Sequence, residues 1–141
     1  SINTIAAEAT MELDLRSEEM GALAELVSRV EAVVASFNRG EISAALEAIG
    51  ERPAGGIAAS HPLVRLARRT LVSLDIRPNL TVGSTDANIP LSLGIPAVCL
   101  GLTTGGGAHT LNEYIDLPPI RLGLQQVFLV VKGAFEMESS I

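Results

Sequence analysis

The sequence predicts an α/β protein in two parts: an α+β layer over residues 1–52, then a piece of a doubly wound α/β sheet over residues 53–141. Three observations carry this. The first part places two short strand-like stretches around one amphipathic helix, the pattern of a helix packed on a small sheet. A run rich in glycine and proline, Gly50-Glu51-Arg52-Pro53-Ala54-Gly55-Gly56, marks a hinge. Beyond it, short apolar runs alternate with helical patterns, which is how a parallel sheet with crossover helices reads.

Residues 3–16 alternate. Ala7, Ala9, Met11, Leu13 and Leu15 fall on one face, and Glu8, Thr10, Glu12, Asp14 and Arg16 on the other, predicting a half-exposed strand. Ser17 is placed to cap a helix, with Glu18 and Glu19 in the first turn where the helix dipole favours acids. Met20, Leu23, Val27, Val30, Val34 and Phe37 recur at helical spacing, and Gly40 ends the pattern. Residues 41–49 contain helix-forming Ala, Leu and Glu, but only nine residues separate the stops Gly40 and Gly50. That length predicts a strand.

After the hinge, Ser60 as cap and Pro62 in the first turn predict a helix. Leu63, Leu66, Ala67, Thr70, Leu71 and Leu74 form its apolar face, with Arg65, Arg68 and Arg69 in solvent. A strand over 80–83, a helix capped by Ser84-Thr85-Asp86 and ended at Gly94, and a buried strand over 95–100 are then expected to form a βαβ unit. Pro118-Pro119 open a last helix with Ile120, Leu124, Val127, Phe128, Val131 and Phe135 inward.

The bulk numbers exclude several classes. A hydrophobic fraction of 48% is that of a folded chain, and with aromatics at 3% its core must be aliphatic. A net charge of -6 argues against a nucleic-acid or anionic-membrane surface. The single cysteine, Cys99, cannot form an internal disulfide and reads as a buried small hydrophobe in a reducing, cytoplasmic compartment. No long uncharged apolar run or signal peptide is seen, and the chain reads as a soluble fragment. The alternating strand at 7–15 can pair edge to edge with a second copy, predicting a homodimer or higher oligomer.

His109 is the sharpest chemical candidate. A lone loop histidine is ordinarily hydrogen-bonded scaffolding. Here it follows Gly105, Gly106 and Gly107, which let the backbone approach a ligand, and it lies past the end of a buried strand. Glu113, four residues on, is placed to orient its second nitrogen. A zinc site needs three or four ligands, and the other histidine, His61, reads as a helix flank. The glycine loop matches neither the P-loop nor the dinucleotide pattern, which disfavours a phosphate cradle. Asp86 reads as a first-turn carboxylate at the edge of a site. Arg52, held between Gly50 and Pro53, is placed to clamp a carboxylate, or is a solvated linker residue. Arg16 can pair across a strand. Asn3 has no standing by itself.

Four co-linear blocks, NTIAAEATMELDLRS, GERPAGGI, GSTDANIPLSLGIPAVCLG and GGGAHTLNEYIDL, resemble the M20 family of metallopeptidases and amidohydrolases, to which peptidase T, acetylornithine deacetylase and the aminoacylases belong. The resemblance implies that residues 1–52 are the second half of a lid, or dimerisation, domain. Residues 53–141 would be the C-terminal part of a zinc-peptidase-like catalytic domain. It implies a hydrolase that cleaves a small peptide or an N-acyl amino acid with two zinc ions. His109 matches the last zinc ligand. Arg52, Arg16, Asn3 and Gly105–Gly107 match substrate-contacting positions; Asp86 and Glu113 are placed behind them by their positions in the sequence and not by the resemblance. The family's His-x-Asp motif is absent from these 141 residues, and their one Glu-Glu pair, Glu18-Glu19, reads as the first turn of a helix and not as the pair that holds the family's general base. The expectation is therefore an inactive portion of an enzyme, against the alternative of a non-catalytic dimerisation or binding module of the same origin.

Overall fold

The structure, a computed structural model, describes residues 3–138. The chain divides into two units, Ser1–Glu51 and Arg52–Ile141.

In the first unit the helix is α1, Met20–Ser36. Its N-cap is Glu19, whose side chain makes no capping bond. Ser17 acts one step earlier, its Oγ accepting from the Glu19 amide at 3.2 Å. No residue of α1 is buried, and Met20, Val33 and Phe37 of its apolar stripe stay about half exposed. The chain then turns through Gly40 (φ +62°) with a single antiparallel bridge between Arg39 and Ile42. Asn38 fastens this turn like a short strand partner. Its Nδ2 donates to the Ala44 carbonyl at 2.9 Å, and its Oδ1 accepts from the Ala44 amide at 2.8 Å. Asn38→Ala is expected to cost about 1 kcal/mol locally, read as roughly fivefold faster hydrogen exchange at the Ala44 amide.

The segments expected as strands at 3–16 and 41–49 are not strands. A helix closes its hydrogen bonds within itself, whereas a strand exists only against a partner. Alternation marks the face a strand would bury but supplies no partner.

In the second unit, α2 spans Pro62–Ser73 and α4 spans Ile120–Glu138, with a five-residue α3, Asn88–Ser92, between them. The N-cap of α2 is His61 and not Ser60: its Nδ1 accepts from the Leu63 amide at 3.2 Å. The core lies where α2 meets α4. Val64, Ala67 and Thr70 are buried on α2, and Gln126 and Val130 on α4. Arg65, Arg68 and Arg69 are exposed.

Two expectations are corrected here. Residues 80–83 and 95–100 are unpaired, so no βαβ unit forms among the described residues. The two-stranded sheet lies elsewhere: β1, Gly105–Gly106, pairs antiparallel with β2, Tyr114–Ile115, in the register Gly105↔Ile115 and Gly106↔Tyr114. The inward face of α4 is also rotated. Leu124, Phe128, Val131 and Phe135 are exposed, while Gly123, Gln126 and Val130 are buried. Small residues decide this, because Gly123 and Gly133 let Leu102 and Leu66 come closer than a larger side chain would permit. No helix among the described residues is long and apolar enough to cross a membrane.

Candidate functional site

Two arrangements in the second unit hold the chemistry-bearing side chains. The first is a hairpin tip carrying His109. Its base is clipped by Asp116. The Asp116 amide donates to the Thr104 carbonyl at 2.8 Å, the Thr104 hydroxyl donates to the Asp116 carboxylate at 2.6 Å, and the Thr103 hydroxyl donates to the Asp116 carbonyl. Gly107 starts the tip at φ +66°. A Cβ there would lie 2.8 Å from the Asn112 carbonyl oxygen, so both conformation and space require glycine. The Gly107 carbonyl accepts from the Thr110 amide at 3.0 Å and the Thr110 hydroxyl at 2.7 Å.

Within this network His109 lies in the left-handed region, φ +64°, and is exposed. A non-glycine residue there is held at a cost and persists only where its surroundings fix it. Glu113 does the fixing: its carboxylate accepts from the His109 backbone N–H at 3.2 Å. It therefore grips the main chain of His109.

The second arrangement surrounds Arg52. Its two terminal nitrogens donate to the Ser84 hydroxyl and the Asp86 carboxylate, each at 3.3 Å. The guanidinium lies at an open cleft of about 770 Å³ whose apolar wall includes Ala97, Val98 and Leu100. Cys99 also lines this cleft and is exposed, not buried as expected, because residues 95–100 have no strand beside them. His109 is not among the lining residues.

The turn before α3 also departs from the cap pattern expected of it. The N-cap is Ala87, without a side-chain bond, and the polar groups go elsewhere. Thr85 Oγ1 accepts from the Ala87 amide at 3.3 Å, and Asn88 Oδ1 accepts from the Thr85 amide at 2.8 Å. Asp86 turns to Arg52. Ser84 and Asn88 were missed as contributors. Their only sequence signal was the Ser-Thr-Asp-Ala-Asn run, which reads as a helix start.

In the first unit, Arg16 is committed to Asp14, its Nε donating to the carboxylate at 2.8 Å. That hydrogen bond, with the charge behind it, holds the Asp14 carboxyl below the usual carboxylate range. The folded value is the lower one. Any contribution to stability is thus present above the unfolded value and fades as pH falls through the folded one. Both side chains are largely exposed, so solvent screens the pair. Asn3 lies in an exposed turn at the start of the described residues.

Among the described residues no three His, Cys, Asp or Glu side chains gather where they could hold a metal ion. His109 offers one imidazole, and these residues by themselves do not make a zinc centre. No protein-family model matches the chain. No curated protein matches it either.

Proposed function

We propose that this chain is the C-terminal portion of a zinc-dependent M20-type hydrolase that cleaves the amide bond of a small peptide or an N-acyl amino acid, and that this portion recognises substrate without catalysing. Residues 1–52 belong to the lid in this reading and residues 53–141 to the catalytic domain, in a cytoplasmic enzyme. The observation that carries the proposal is His109, an exposed imidazole fixed in a strained backbone conformation at the tip of a clipped hairpin. Strain maintained at a chemically competent side chain is what a functional position looks like. Its partners for zinc would come from the parts of the enzyme that carry the family's other motifs. Zinc in such sites polarises a carbonyl and supplies an activated water.

Arg52 is the group of this chain suited to the substrate carboxylate. It is half exposed beside an apolar wall, a setting for a charged end and an aliphatic side chain. Asn3, Arg16 and Gly105–Gly107 would contribute further contacts. The test is the metal content and amidase activity of the longest product of the gene. The expected result is bound zinc with hydrolysis of dipeptides or N-acyl amino acids. A product with neither divalent metal nor amidase activity overturns the proposal.

A second reading, a non-catalytic dimerisation or binding module, is favoured by α1. A helix with an apolar stripe and no buried residue is a surface for association. On either reading the chain is expected to form a homodimer or higher oligomer by light scattering. A monomer at high concentration would contradict that.

A further inference from the structure

We propose that Asn88 is the positioning residue for Arg52: its side-chain amide fixes where the guanidinium stands at the mouth of the cleft. The inference deepens the carboxylate reading of Arg52 and rests on it for its functional meaning, though not for its geometry.

Direct contacts do not explain the placement of Arg52. Its bonds to Ser84 and Asp86 are both 3.3 Å, at the long end of the N–H···O range. The Asp86 carboxylate is fully exposed and the Arg52 side chain is 43% exposed, so water and salt weaken their attraction. Such a pair follows the guanidinium more than it fixes it.

The backbone beside Arg52 is held by bonds that are part-buried, where those of the guanidinium are exposed. Asn88 Nδ2 donates to the Pro53 carbonyl at 3.2 Å while Asn88 Oδ1 accepts from the Thr85 amide at 2.8 Å. One half-buried side chain thus ties the strap at 53 to the turn at 85. Pro53 has no N–H, so its carbonyl is the only backbone group it can offer to a latch. Its ring also confines Arg52, the residue before it, to extended backbone. Fixing the Pro53 carbonyl, with the proline ring setting φ at 53 and keeping Arg52 extended, therefore narrows the directions in which the Arg52 side chain leaves the chain.

Packing seats the same strap. Ala54 is buried, and a Cβ on Gly55 would lie 2.6 Å from the Ser92 amide nitrogen. The strap lies against the end of α3 more closely than any side chain at position 55 would allow. Held in this way, Arg52 spends one N–H from each terminal nitrogen on Ser84 and Asp86. Its remaining donors are available to an incoming carboxylate.

The test uses the full chain with ¹⁵N-labelled arginine. The mobility of the Arg52 Nε–Hε group is read by heteronuclear NOE, the resonance being assigned by its loss in Arg52→Lys. Asn88→Ala is expected to bring Arg52 to the mobility of exposed Arg68. Asn88→Asp keeps an acceptor for the Thr85 amide but has no donor for Pro53, and is expected to loosen Arg52 as well. Asp86→Asn is expected to leave Arg52 ordered. Thermal melts of each variant show that the fold persists.

Titration with N-acetyl-leucine is expected to shift the Arg52 resonance in the wild-type chain. Its affinity should be at least about fivefold weaker in Asn88→Ala, as follows when the competent placement is occupied less than a fifth of the time. Arg52 remaining ordered in both Asn88 variants, or loosening only in Asp86→Asn, overturns the inference. A wild-type Arg52 that ignores N-acetyl-leucine while the mobility pattern holds sinks the carboxylate reading and leaves the latch standing.

Discussion

Replacing His109 by alanine in the longest product of the gene is expected to lower kcat for an N-acyl amino acid by at least about 100-fold and to reduce the bound zinc. Changing residues that merely support metal ligands costs roughly 10–100-fold, so losing a ligand should cost no less. Each factor of ten corresponds to about 1.4 kcal/mol of the barrier, and a metal ion supplies several kcal/mol of charge stabilisation. The control is the other imidazole. His61 caps α2 by accepting from the Leu63 amide. Losing that cap costs stability, about 1 kcal/mol, and should leave kcat unchanged in the folded protein. If His109→Ala kept wild-type zinc and kcat, or if His61→Ala proved the more damaging to kcat, His109 would not be a metal ligand.

The contrast between the two histidines shows what could be read in the sequence. His109 was visible because three glycines precede it, and the structure adds a feature that spacing does not encode, the left-handed backbone held by Glu113. His61 was read as a helix flank and proves to be the cap itself. The helices of the first and last thirds were legible because their periodicity and stop signals are local, and because a helix needs no other segment. The strands expected at 80–83 and 95–100 do not form, since pairing depends on what lies alongside. The hairpin of Gly105–Gly106 with Tyr114–Ile115 lacks the β-branched alternation that announces strands.

The same division runs through the Arg52 arrangement. Proline after arginine was a local signal for a fixed presentation. The residues that receive the guanidinium lie more than thirty positions away, in a run whose composition already had a sufficient local explanation as a cap. Buried faces were hardest to assign. On α4 the large apolar residues were expected inside, but close approach of neighbouring backbone selects the glycine face. Hydrophobicity ranks which residues gain from burial. It does not say how near two elements come.

That closeness predicts opposite results for two alanine substitutions in α4. A Cβ on Gly123 would lie 1.9 Å from the Leu102 carbonyl oxygen and 2.6 Å from the Leu102 Cα. All the nearest atoms are backbone, so relief requires moving the first turns of α4 or the segment that leads into the hairpin. Alanine gains about 1 kcal/mol over glycine in helix propensity, whereas overpacking against atoms that cannot rotate away costs about 1–3 kcal/mol or more. The overlap is severe enough that the cost wins. Gly123→Ala is expected to destabilise the second unit by roughly 1–2 kcal/mol and lower its Tm by several degrees. At Gly133 the nearest atom is Leu66 Cδ1, 2.7 Å away at the free end of a flexible side chain. Leu66 can turn aside, the propensity gain survives, and Gly133→Ala should leave Tm unchanged or raise it slightly. Thermal melts of the two variants check the pair, and a higher Tm for Gly123→Ala than for Gly133→Ala would contradict the packing of α4 on Leu102. Because Leu102 leads directly into the clipped base of the hairpin, Gly123→Ala should also shift the amide resonances of residues 103–116. The stability of α4 and the placement of His109 are thereby coupled through one backbone contact.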